Sequence, residues 1–450
     1  MKIKRAIDSV ASSIMCLSLI TGNVNAMEAD FTKYDFYKPA NYISNDFDIY
    51  KENMIANYNI AAENLCIDFV SMFYSNIYVE DYTSFTTECL NSSGLSDYVT
   101  LKSAIMRNRS AIYGKISDFS VSSVIEDYSY IESNNESLYT IWVEVEFKYP
   151  GCDTFSGFGR TVQALVKNVD NAPVISDLFI NDDIDETIIG ENISEKIKMR
   201  SSNNWDYTEY ATKRRNDLLE LYNYEQNNLL TELDDVDIEE TNDYVTTYAS
   251  ASITTTQRNK IVTYAKNNCN KASPDSGNSS YASYYDFSQI DGNYDCTNFA
   301  SHCLLAGGAV EYDTGAPSTG WYYNSLSDRS HSWSGVTPFG NFLLTNANNG
   351  PKGNSVGFTN NCPMSSMMYT IGDIIQIDYE RDGTYNHSTI VTGFQQNISG
   401  SGNSFTPKIT SRSGANSGLS KWYNKDTSIV DAGYANVNYS RRVIHLTSLS

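Results

Sequence analysis

Asp295-Cys296-Thr297-Asn298-Phe299-Ala300-Ser301-His302-Cys303-Leu304-Leu305-Ala306-Gly307-Gly308 is the stretch on which the reading of this chain turns. Phe299, Cys303 and Ala306 fall on one helical face, and Gly307-Gly308 supplies a stop, so a helix is predicted with Cys296 in its first turn. A cysteine attacks a carbonyl as thiolate, and with a pKa of about 8.5 a free one is mostly protonated at neutral pH. The first turn of a helix corrects this, because its unpaired N–H groups and the positive end of the dipole favour an anion. The same groups can hold an oxyanion as it forms. The plain alternative is that free Cys is among the most buried residue types and acts as a small hydrophobe.

A nucleophile of this kind needs a base. Ile371 to Asp378 and Ser388 to Phe394 read as two strands, with His387 entering the second, and further strands near Thr406 to Thr410 and Arg441 to Leu446 complete a small sheet. His387 is therefore the candidate base for Cys296. His302 lies on the far side of the helix, His331 in a Ser-rich loop and His445 near a strand end, which leaves them weaker partners. Upstream, a helix is predicted from Arg258 to Asn268. Cys303 reads as core, and Cys269 and Cys362 form a candidate disulfide.

Residues 254 to 446 resemble the family known as the putative amidase domain of secreted bacterial proteins, part of the broad papain-like group that includes the NlpC/P60 and CHAP cell-wall hydrolases. The resemblance rests on Asp295 through Ser301 with Leu304 and Ala306-Gly307-Gly308; Trp321-Tyr322-Tyr323; Ser332-Trp333 with Val336 and Phe339; Gly372-Asp373-Ile374-Ile375-Gln376; and His387-Ser388 with Ile390-Val391-Thr392. It implies Cys296 as nucleophile and His387 as general base. Where the family's next strand leads to a His-Thr pair, this chain reads Ile409-Thr410-Ser411-Arg412-Ser413, so Ser411 or a backbone carbonyl takes the orienting place. Trp321 and Tyr322, with Tyr323 and Trp333, are candidates to line a substrate cleft. For Trp333 a core role is the equal alternative, since buried aromatics dominate core energetics.

The rest of the chain frames this domain. At 450 residues it exceeds one ordinary core. From Ile55 to Phe73, Ile55, Tyr58, Ala62, Leu65, Phe69 and Met72 recur at three- and four-residue steps, which predicts an amphipathic helix. A second helix is expected near Leu101 to Ile112. Phe119 to Ile125, Ser137 to Tyr149, Thr161 to Asn168 and Ala172 to Ile180 then read as strands of a meander. This order is similar to that of the cone-shaped nuclear-transport-factor-2-like domains, with a plain helix-and-sheet spacer as the equal alternative. A polar helix from Thr208 to Leu230 precedes the acidic run Glu232 to Glu240 and the Ser/Thr-rich Thr246 to Thr256, together a linker. The fold class expected is thus α+β: a signal peptide at 1–26, an N-terminal α+β domain at 27–200, the polar helix and linker at 201–253, and at 254–450 a papain-like cysteine hydrolase domain whose helix-borne Cys packs on a small antiparallel sheet.

Lys2, Lys4 and Arg5, the apolar stretch Val10 to Ile20 and Val24-Asn25-Ala26 have the order of a secretion signal cleaved after Ala26, which predicts an extracellular protein. That stretch is too short to span a bilayer, so no transmembrane segment is expected in the mature chain. Seven cysteines remain after cleavage, an odd number that asks one thiol for a function. With no Cys-x-x-Cys pair and four His, no metal or organic cofactor is expected. The formal charge of −22 repels phosphate backbones, so nucleic acid is a poor partner. The expected function is hydrolysis of a peptide or amide bond through an acyl-enzyme, with cell-wall (peptidoglycan) peptide as favoured substrate. The alternatives are a secreted cysteine protease or small-amide hydrolase, and a non-catalytic surface-binding protein.

Overall fold

Three- and four-residue spacing of apolar side chains builds helix α1 (Ile60–Tyr78), whose buried face is Ala62, Cys66, Phe69, Val70, Phe73, Tyr74 and Ile77. The computed structural model of the chain describes residues 59–78, 89–114, 116, 118–131, 135–185, 207–228, 253–271, 287, 295–398, 403–414, 422–436 and 438–450. The expected signal peptide, the acidic run Glu232 to Glu240 and the first residues of both the expected helix at Ile55 and the Ser/Thr-rich segment lie outside the described residues.

Helix α2 (Ser93–Ala111) starts where Ser92 accepts the amide of Leu95 at 3.2 Å, an N-cap that satisfies one of the orphan donors of the first turn. Strands β1 (Asp118–Ile131), β2 (Glu136–Lys148), β3 (Ser156–Val169) and β4 (Ala172–Ile180) follow as an antiparallel meander. Helix α3 (Tyr207–Asn228) is tied to α2 by the buried pair of Arg109 with Glu225 at 2.7 Å. In the second region α4 (Thr255–Asn268) opens with a capping box between Thr254 and Gln257, and α5 (Cys296–Ala306) ends at Gly307. Then come β5 (Tyr323–Ser325), β6 (Asp328–Arg329), α6 (His331–Ser334), α7 (Val336–Thr345), β7 (Lys352–Val356), β8 (Cys362–Pro363), β9 (Ile374–Asp378), β10 (His387–Gln396), β11 (Ser404–Gly414), β12 (Trp422–Ser428) and β13 (Ser440–Ser448).

The sheet beneath α5 is not small and separate. Among the described residues eleven strands form one sheet in which β1-β2-β3-β12-β11-β10-β9-β13-β7 are neighbours in that order, with β4 on β3 and β8 on β11. The seam between the regions is the antiparallel pairing of β12 with β3, Trp422 opposite Arg160 through Lys425 opposite Gly157. Gly159 is required there, because a Cβ would collide with Trp142 and Tyr423, which pack over the seam. Arg160 reinforces it by donating to the Tyr423 carbonyl and, at 2.7 Å, to Asn424 Oδ1.

Alternation along the strands serves two cores. Ile374 and Ile390 lie with Phe299, Leu304 and Phe339 under α4, α5 and α7, whereas Ile375, Ile377 and Val391 join Trp422, Phe158 and the buried face of α1 on the opposite side. Among the described residues no helix is long and apolar enough to cross a membrane. No disulfide joins Cys269 and Cys362, so the candidate disulfide is not formed.

Candidate active site

Strands β10 and β11 pair from Gln396 back to Ile390 and then diverge, and the N-terminus of α5 enters the fork. On one side the Asp295 amide donates to the Ser413 carbonyl at 2.9 Å. On the other, the Cys296 sulfur accepts the amide of Ser388, the residue that follows His387. Thr297 and Ser388 lock the same contact with hydroxyls 3.0 Å apart.

Asp295 precedes the helix but does not cap it with its side chain. Its carboxylate is drawn aside instead, by Arg412 Nε at 2.7 Å, by Asn298 Nδ2 at 2.8 Å and by the Phe287 amide at 3.1 Å. A first-turn amide that a capping carboxylate would otherwise claim is thereby left for the sulfur. The Thr297 amide donates to it, and the Thr297 hydroxyl lies 3.8 Å away, where either group can donate. These donors favour a thiolate, yet burial outweighs them and pushes the thiol up to about 11.

His387 pairs with Ile377 and so lies on the Ile377 side of the sheet, while Ser388, opposite Gln376, faces α5 and α7. Its ring packs against Trp422 at 4.9 Å and Tyr434 at 5.1 Å between centroids. Burial pushes the imidazole down to about 3, and Nε2 has no hydrogen-bond partner. No hydrogen bond joins the ring to the Cys296 sulfur. The resting pair is therefore a neutral thiol and a neutral imidazole at one fork, each about 2% exposed.

Ser411 does not bond the imidazole. It sits opposite Asn424, whose Nδ2 donates to the Ser411 hydroxyl at 3.4 Å and to the Tyr434 hydroxyl at 3.5 Å. Trp321 and Tyr322 line no open cleft. Trp321 is fully buried and donates Nε1 to Ser301 Oγ at 3.1 Å, and Trp333 donates to Asn298 Oδ1 at 2.7 Å, so both indoles pack on α5. His302 is buried within α5 against Trp333 and held well below the usual imidazole range by burial. Among the described residues no three His, Cys, Asp or Glu side chains converge as metal ligands.

Sequence reasoning passed over Thr297, Ser388 and Asp295, although each adjoins a chosen residue and an alternating strand places Ser388 on the face opposite His387. Trp422 and Tyr434 carried no such signal, since only the seam and the turn after β12 bring them to the ring.

The fork lies inside a recognised unit. Residues 255–430 match the family model described as a putative amidase domain, and both Cys296 and His387 fall within the matched stretch. The chain is also 34% identical over 130 residues to YhbB of Bacillus subtilis (strain 168), an uncharacterized protein. That stretch is 29% of this chain and 35% of YhbB, so the match spans about a third of the relative's length. No solved structure matches.

Proposed function

We propose that the protein is an exported, papain-like cysteine amidase that hydrolyses a peptide or amide bond, with Cys296 as nucleophile and His387 as base. The observation that carries this reading is the fork, in which the Cys296 sulfur meets the amide next to His387 at the start of a helix within the amidase-type region. As the carbonyl is attacked, the thiol proton passes to the imidazole, whose Nε2 or Nδ1 then delivers it to the leaving amine. The Ser388 and Thr297 donors at the sulfur, and the first turn of α5, stabilise negative charge as it develops. Water then attacks the thioester, with His387 again taking the proton. Cell-wall peptide is the substrate class we favour, reached after export directed by residues 1–26.

The test is to incubate the full chain with cell-wall stem peptides, unrelated peptides and small amides, and to look by intact mass for an acyl adduct on Cys296. Turnover of stem peptides that disappears in Cys296→Ala supports the reading. Turnover of unrelated peptides or small amides alone moves the substrate to those classes. The closed burial of the pair favours the second reading, a non-catalytic surface-binding protein, and the absence of adduct and turnover on every substrate would establish it over the first.

A further inference from the structure

A line of polar side chains, of which the proposed chemistry uses only Thr297, runs from β13 to the Cys296 sulfur. Arg442 directs Nε, at 3.1 Å, and Nη2 at Gln376 Oε1. Gln376 Nε2 donates to the Val336 carbonyl at 2.8 Å and to Ser388 Oγ at 3.1 Å. Ser388 Oγ lies 3.0 Å from Thr297 Oγ1, and Thr297 Oγ1 lies 3.8 Å from Cys296 Sγ. Gln376, Ser388 and Thr297 are all buried.

The chemistry of the end groups sets the direction of every link. A guanidinium only donates, so Gln376 must turn its oxygen to Arg442 and its NH2 to Val336 and Ser388. The Ser388 oxygen thus accepts, and its one hydrogen goes to Thr297 Oγ1. Thr297 in turn has its hydrogen left for the sulfur. That order holds for a thiolate, which only accepts: Thr297 must give its one hydrogen to the sulfur, so the Ser388 hydroxyl must donate to Thr297. Arg442 has no carboxylate partner among the described residues; it also donates Nη1 to Asn341 Oδ1 at 3.3 Å and packs on the Tyr385 ring at 4.0 Å, and its charge polarises the chain from one end. The packing is specific to this pair: a Cβ at Gly340 of α7 would overlap both Arg442 Nη2 and Gln376 Oε1.

We propose that Arg442, Gln376, Ser388 and Thr297 form a one-way hydrogen-bond relay that holds the Cys296 thiolate, with Thr297 donating to the sulfur and the other three acting as positioning residues. The relay rests on the reading of Cys296 as nucleophile and deepens it. The other charged or titratable groups around the α5 N-terminus are Asp295, which opposes a thiolate and is tied to Arg412, then His387 on β10, and His302 within α5.

The experiment is the rate of iodoacetamide alkylation of Cys296 at fixed pH 8, mapped by peptide mass, which reads the thiolate fraction without any substrate. Thr297→Val should slow it about tenfold, as one pKa unit does, and Thr297→Ser should restore it. Gln376→Met should slow it severalfold in the otherwise native chain and have no further effect beside Thr297→Val, since the link it feeds is already cut. Additive losses in the double variant, or no loss in Thr297→Val with its melting temperature unchanged, would overturn the relay. If Gln376→Met fails to fold, Arg442→Lys, which keeps the charge but not the two-pronged contact, takes its place in the same cycle. A relay that passes while no amide is hydrolysed leaves the thiolate assignment standing and removes the hydrolase reading. Hydrolysis with an unmoved alkylation rate does the reverse.

Discussion

Two sets of buried titratable groups, a cation cluster in the first region and the Cys296–His387 pair in the second, are treated in opposite ways. In the first, Lys102 meets Asp182 at 2.8 Å and Asp185 at 2.7 Å, Arg109 meets Asp183 at 2.9 Å and Glu225 at 2.7 Å, and Arg214 meets Asp177 at 2.9 Å. Each of these three cations is matched, and the cluster joins α2 and α3 to β4 and the turn after it. In the fork of the second region, Cys296 and His387 are buried without an opposite charge and are held neutral. A buried charge that is matched serves architecture, whereas a buried neutral thiol and imidazole with an unused nitrogen are what the proposed proton transfer calls for.

Four experiments press on that contrast. Cys296→Ala should lower amide turnover by at least about a thousandfold, as loss of a covalent nucleophile does, while the thermal midpoint stays close to wild type. Arg109→Ala should behave in the opposite manner: two buried carboxylates lose their partner, and urea unfolding should register a loss of about 3–5 kcal/mol, with normal turnover per folded molecule. Finding the two phenotypes exchanged would remove the distinction between the regions.

A smaller effect follows from the sign of the His387 shift. Its folded value is about 3, below the unfolded value, so between the two the unfolded chain binds the extra proton. The His387 contribution is therefore intact above about pH 6.5 and is lost progressively as pH falls toward 3. Relative to His387→Gln, wild type should lose about 2 kcal/mol between pH 7 and pH 5, read from paired urea titrations. A constant difference would mean that the imidazole is not held neutral. Least of all should Ser411→Ala matter, since Ser411 does not hydrogen-bond the ring. Turnover within about twofold of wild type, against the larger loss expected of an orienting group in a triad, would sharpen the site to its observed members.

Where periodicity was strong, the sequence was legible. Ala172 to Ile180 reads as a strand and is β4 to the residue, and the step pattern of Phe299, Cys303 and Ala306 is α5. Strand β12 was not, because Trp422-Tyr423-Asn424-Lys425-Asp426-Thr427-Ser428 shows no apolar alternation. Its buried Asn424, Asp426 and Thr427 are satisfied by Arg160, by Lys408 at 2.7 Å and by the Gly157 carbonyl at 2.6 Å, partners that only tertiary structure supplies. The aromatic run at Trp321 was read toward a cleft for a related reason. Its size and position fit either role, and what decides is the Ser301 hydroxyl that takes the indole N–H. The candidate pair was legible as residue types on a helix start and a strand start, but the register that sets Ser388, rather than His387, toward α5 was not.

The seam between β3 and β12 has a practical side. A chain shortened to begin near residue 254 would retain every residue of the fork but lose the strand that covers β12, leaving a row of unpaired backbone donors and acceptors from Trp422 to Lys425 open to solvent and to other copies. Such an edge is a template for intermolecular strand pairing. The first region therefore serves the second as a permanent cover for that edge.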